Sequence, residues 1–222
     1  MATALVCFAV LAVSIARKEA GVSGQRAEHD RRSERVAAMT GIERQGATTT
    51  LEPHARGPEF PPVLDLVPAL IGAVGLVAAG LDAGGNPTVA VLRTLVGAAF
   101  LGAITDAMLL GHWYLVQPGL PRRILNELVR AVLWLWPLEV FVMLLPTGML
   151  AALNGTVDDQ WNGTLSWFWV ACAVATGVLL WVTKAALKER SYSAVMAATG
   201  LLYLAILTGF GTDLVARAVL AG

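Results

Sequence analysis

The chain has 222 residues, carries no net charge, is 56% hydrophobic and has a mean hydropathy of +0.65. Only 14% of it is charged, against about a quarter in a soluble domain of this length, and that charge leaves long runs bare. Composition therefore excludes an ordinary soluble globule, and a pI near 6.8 offers no basic footprint for nucleic acid.

Six apolar runs can be marked, and lipid forces such runs to satisfy their own backbone as helices. The alternation of a membrane barrel is absent. The expected fold class is all-α: a polytopic transmembrane bundle of six helices, or five if the first does not span. Residues 1–16 are apolar but shorter than the roughly 17 that a span needs. They read as a short spanning helix, a signal peptide or the remnant of a longer helix. The missing positive charge before the run argues against a signal peptide, and Arg17 with Lys18 after it favours an N-out anchor.

Residues 17–60 form a charged loop with eight basic and seven acidic side chains. It holds too little apolar surface to fold alone, except for a short surface helix over about 26–43. The interleaved acids blunt any attraction to anionic lipid. Five further helices follow, over about 63–81, 88–111, 128–153, 164–187 and 192–220.

Loop charge predicts the orientation. Arg122, Arg123 and Arg130 follow the third helix, and Lys184, Lys188 and Arg190 follow the fifth, whereas 82–87 and 153–163 contain no Lys or Arg. By the positive-inside rule the basic loops are cytoplasmic and both termini lie outside. Trp161, Trp167 and Trp169 then mark the outer interface, with Trp113, Tyr114 and Trp181 at the inner one; Trp134 and Trp136 lie deeper than belt residues. Thirteen Arg against three Lys, with abundant Ala and Gly, reads as a GC-rich bacterial genome, which makes the membrane the inner one.

Ionisable side chains inside a span cost a few kcal/mol on insertion scales, so each needs a reason. Glu139 is the strongest candidate, near the middle of the fourth helix and two residues after Pro137, which frees the carbonyl of Leu133. Arg93 and Asp106 share the third helix, about 20 Å of rise apart, so they cannot pair with each other. Either could meet Glu139, because a short connection makes the third and fourth helices a hairpin. Ala99, Ala103, Ala107 and Gly111 form a small-residue stripe for close helix approach. Arg93, Asp106 and Glu139 read either as a proton or ion path, or the wall of a quinone pocket, or as a structural network that sets helix register.

His112, Trp113 and Tyr114 are the candidates for contact with quinone or haem. A bis-histidine haem is improbable in a single chain, so haem would require a partner subunit, a dimer, or Met143 or Met149 as second ligand. His112 also reads simply as an interfacial residue among belt aromatics. Asp213 and Arg217 are a favourable helical pair read as an end-cap. Asp158 and Asp159 are too few for a cation site, and the Asn-Gly-Thr sequences at 154 and 162 read as chance matches to a glycosylation pattern. Cys7 and Cys172 read as small apolar residues without a disulfide. No phosphate loop, nucleophile elbow, zinc motif or convincing internal repeat is present. Besides the lipid bilayer, the expected partners are other membrane subunits or a second copy. Function reads in order as a membrane subunit of an assembly associated with quinone or haem, a small ion- or proton-coupled transporter using Glu139, or a scaffold without chemistry.

Overall fold

The computed structural model describes residues 2–16, 63–116, 122–145, 148–189 and 191–221, in which helices are joined by short loops and no strand is present. The charged loop 17–60 and its expected surface helix lie outside the described residues. Two compact units are present, Met1–Gly75 and Leu76–Gly222.

The first unit holds α1 (Ala2–Ala16) and the larger part of α2 (Val63–Asp82). Both are apolar all round: Leu5, Phe8, Leu66 and Leu70 are exposed, as suits helices whose solvent is lipid.

The second unit is built on four long helices, α3 (Pro87–Val116), α4 (Arg123–Leu144), α6 (Thr164–Ala186) and α7 (Tyr192–Ala221), with the five-residue α5 (Met149–Leu153) between α4 and α6. Asn86 starts α3 by accepting the amides of Thr88 and Val89 on its side-chain oxygen. Pro87 takes the first helical position, where its missing N–H leaves nothing unpaired. Three of these helices, α3, α6 and α7, are long and apolar enough to cross a membrane, and shorter apolar helices cover Ala4–Ala16 and Leu66–Asp82. α4 carries Arg123, Glu127, Arg130 and Glu139 yet packs as their equal.

The four helices form a ring in which α3 packs on α4, α4 on α6, α6 on α7 and α7 back on α3. Every neighbour is antiparallel. Residues early in α3 meet residues late in α4 and α7, and Cys172 and Thr176 of α6 meet Gly211 and Thr208 of α7. One end of the ring therefore gathers the start of α3, the end of α4, the start of α6 and the end of α7; its loops hold Asp82, Asp158 and Asp159, and we call it the acidic end. The opposite, basic end carries Arg122, Arg123, Lys184 and Lys188.

A dry core of Phe100, Ile104, Leu125, Val129, Leu180 and Leu202 fills the middle and the basic end, and a smaller cluster around Met143, Met149, Trp169 and Ala216 fills the acidic end. Hydroxyls enter this apolar setting by bonding their own helix: Thr94, Thr105, Thr176, Thr183, Thr199 and Thr212 each donate to the carbonyl four residues earlier.

Two sequence expectations change. The run expected as one helix over 128–153, with a bend at Pro146, is broken outright: α4 stops at Leu144, and Leu145 adopts φ −52°, ψ 161°. Leu145 precedes Pro146 in sequence, and a residue before proline is driven out of the helical region. The small-residue stripe also does not act as one line. Four-residue spacing drifts about 40° per step around a helix, so Ala99 is exposed while Ala107 is buried and Gly111 lies under Thr199. α3 meets α7 at Gly111, from the stripe, and at Gly97, with Phe100 and Ile104 against Gly209 of α7.

Candidate functional site

The acidic end encloses a charged cluster. Glu139 is 0% exposed, and neither of its carboxylate oxygens has a hydrogen-bond partner. It faces Asp213 and Arg217, two residues of α7, across Gly97 of α3. A methyl group on Gly97 would stand 2.7 Å from Arg217 Nη2, 2.8 Å from Asp213 Oδ1 and 3.6 Å from Glu139 Oε1. Glycine is what lets three helices bring these groups together: any side chain would fill the space where they converge.

Asp213 is itself buried and accepts Arg217 Nε on both oxygens, at 2.9 and 2.8 Å. Arg217 keeps 41% of its side chain exposed and also donates to the carbonyl of Arg93 at 3.4 Å. The cluster thus grades from a half-exposed guanidinium through a buried aspartate to a fully enclosed glutamate.

Arg93 lies at the same level but spends its guanidinium elsewhere. Nε donates to the carbonyl of Val142 at 3.3 Å and Nη2 to that of Leu145 at 3.4 Å. These carbonyls belong to the broken end of α4, where no further helical amide follows, and a cation suits the negative end of a helix. Arg93 caps α4 and forms no ion pair with Glu139 among the described residues.

Trp169 adds an unpartnered donor to this layer: its indole is 2% exposed and Nε1 has no acceptor. It packs with Met143, one turn beyond Glu139, and with Ala216, one turn beyond Asp213. Sequence reading placed it in the interfacial belt with Trp161 and Trp167. Those two are exposed, but two residues along a helix is a 200° rotation, which turns Trp169 inward.

The remaining candidates are dispersed. Asp106 is exposed on the face of α3 that also shows Leu109 and Trp113, and the fold does not bring it to Glu139. Tyr114 is buried and meets the backbone of Leu125. His112 is exposed near the basic end, its ring edge-on to Tyr203 with centroids 6.4 Å apart and Nδ1 3.5 Å from the phenol oxygen. Met143 stands at the level of Arg93, nineteen residues or about 28 Å along α3 from His112. Within one chain, Met143 and Met149 cannot share an iron with His112. No group of three or more His, Cys, Asp or Glu side chains suited to a metal occurs among the described residues.

Sequence reading missed the membership of Asp213 and Arg217, which it took for an end-cap. With α4 ending at Leu144, Glu139 stands five residues from its helix end and Asp213 eight from that of the antiparallel α7, a match hidden when the fourth helix is run on to 153. The loop residue Asp159 proves to be a structural anchor. Oδ1 accepts the amides of Trp161 (3.1 Å) and Gly163 (2.7 Å), and Oδ2 accepts the amide (3.1 Å) and hydroxyl (3.3 Å) of Ser166, closing the open start of α6. Burial would raise its carboxyl, but these donated hydrogen bonds prevail and hold it below its ordinary value.

Chemically, the cluster offers an enclosed carboxyl able to take a proton or small cation, with an ion pair between it and the surface. Compared with known protein families, curated proteins and solved structures, the chain matches none.

Proposed function

We propose that this is a six-span protein of the bacterial inner membrane, basic end cytoplasmic and both termini outside, which couples its activity to a proton exchanged at Glu139. One observation carries this: a fully enclosed carboxyl without a hydrogen-bond partner beside an ion pair that reaches from a buried aspartate to a half-exposed arginine. A carboxyl in such a place has a large desolvation penalty as an anion, which favours the form that holds a proton. A purely structural role would be served better by leucine, so the retained chemistry points to use. Asp213 and Arg217 form the exchange route towards the acidic end. The charged groups facing Glu139 are Arg93 from α3 and Asp213 and Arg217 from α7; α5 has none, and α6 has none at this end. Arg93 is committed to the carbonyls of α4, so among the described residues Glu139 and Asp213 share Arg217 as their adjustable counter-charge.

The test is proton movement into liposomes holding the full chain, driven by an imposed potential, together with the infrared band of a protonated carboxyl. Glu139→Gln should remove the band and reduce flux at least about tenfold, while Glu139→Asp keeps part of both. Equal flux in Glu139→Gln and the parent would eliminate Glu139 as the carrier.

A second reading, a quinone-associated subunit of a larger assembly, draws support from the exposed His112–Tyr203 pair, an aromatic edge with hydrogen-bonding atoms on the surface of the bundle. Co-purification of companion chains, with quinone retained by the parent and lost in His112→Ala, would favour it. A Soret band would add haem supplied from both sides of an interface.

A further inference from the structure

On the outside of the bundle, α4 and α6 leave a trough of about 370 Å³ lined by Leu133, Trp136, Val174, Gly177, Val178 and Trp181. Trp136 forms its floor: the indole donates to the carbonyl of Ala173 at 3.0 Å and lies over Gly177, where an added methyl would come within 2.5 Å of the ring. Towards the basic end Trp181 also borders a second hollow, of about 120 Å³, with Lys184, Ala185 and Lys188. Trp181 therefore stands between the trough and the hollow and borders both.

Arg130 of α4 lies near the level of this mouth by register. Trp136 sits opposite residues 173–177 of the antiparallel α6, so moving six residues towards the basic end along α4 reaches Arg130 while the same step along α6 reaches about 179–183. Arg130, Lys184 and Lys188 are all exposed, and none is in an ion pair among the described residues. Lys184 stands in the last turn of α6 and Lys188 in the turn just past its end, two like charges four residues apart that repel each other. An anion between them would relieve that repulsion.

We propose that this surface binds one anionic phospholipid, its phosphate between Lys184, Lys188 and Arg130 and an acyl chain in the trough over Trp136. An apolar trough ending in an unpaired cationic mouth matches the polarity of such a lipid along its length. A soluble anion would have no use for the trough, and a zwitterionic lipid would bring its own cation to the mouth. Trp181, at the junction, suits the level of the glycerol backbone.

Native mass spectrometry of the full chain from mild detergent tests this, with dioleoyl phosphatidylglycerol and dioleoyl phosphatidylcholine as probes. The parent should retain phosphatidylglycerol over phosphatidylcholine, and Lys184→Gln with Lys188→Gln should cut its retention by roughly 30-fold, from the attraction of two surface lysines. The corresponding double Arg variant should retain it, since charge is what the mouth supplies. Equal retention of the two lipids, or undiminished retention in the double Gln variant, would overturn the proposal. Displacement of the lipid by inorganic phosphate at equal concentration would also overturn it, because the trough would then contribute nothing.

Discussion

The two ends of the four-helix ring handle charge in opposite ways. At the acidic end Glu139, Asp213 and the inner part of Arg217 lie between helices, and Arg93 is turned onto backbone carbonyls. At the basic end the interior is Leu125, Val129, Leu180 and Leu202, and the charges stand outside. There Arg122 clasps the carbonyls of Glu189 and Ser191, Arg123 pairs with Glu127, and Tyr192 ties α7 to the carbonyl of Leu115. Charge outside a bundle acts on what surrounds it; charge enclosed between helices acts on the helices themselves or on something admitted to them. That difference suits the basic end to a lipid and the acidic end to a proton.

The sharpest way to break this contrast is to remove one charge at each end. Asp213→Ala leaves Arg217 without its partner, and because the guanidinium is partly exposed the loss should be about 2 kcal/mol rather than the larger figure for a fully buried pair. Thermal unfolding in detergent reads it directly. The counterpart, Glu127→Ala, removes a pair whose side chains are 83% and 56% exposed and should change stability by less than about 0.5 kcal/mol. Equal losses would mean that the enclosed pair is screened as well as the surface one.

Between these extremes lies Gly177→Ala. Its methyl meets the rigid indole of Trp136, an overpacking penalty of about 2 kcal/mol, offset by about 1 kcal/mol of helix propensity. The net loss should be about 1 kcal/mol, accompanied by a changed environment for the Trp136 indole. If Gly177→Ala were stabilising, α4 and α6 would not approach closely there.

Asp159→Asn should lower the unfolding midpoint by less than Asp213→Ala does. Asparagine keeps one acceptor oxygen but places an N–H where the other met Ser166 or the loop amides. The effect has a pH signature. A carboxyl held below its ordinary value stabilises the folded state above about pH 4, where the unfolded chain is also ionised, and loses that contribution as pH falls through its lower folded value. The gap between parent and variant should therefore be constant near neutrality and close in acid. A gap that widened in acid would contradict the depressed carboxyl.

Much of the fold was legible because lipid solvation imposes a crude rule: long apolar runs must be helices, and Gly, Pro and Asn punctuate them. That rule places α2, α3, α6 and α7 within a few residues and marks Glu139 as unusual. It cannot see rotation. Whether Trp167 or Trp169 faces inward, whether Asp106 or Arg93 meets the fourth helix, and whether Ala99 joins a packing stripe all depend on which way a helix turns. In a chain apolar on every face, no hydrophobic stripe records that.

The sequence by itself determined that this protein is helical and membrane-like, where its helices run and that a carboxyl lies inside one of them, because transfer from water to lipid depends on composition over twenty residues. Only the tertiary structure decided the company that carboxyl keeps. Gly97 lets α3, α4 and α7 converge, the broken end of α4 takes Arg93 away from Glu139, and Asp213 with Arg217 comes from over seventy residues later in the chain. Those contacts are set by helix rotation and register, which arise from the fit of facing side chains and are written in no single stretch of the chain.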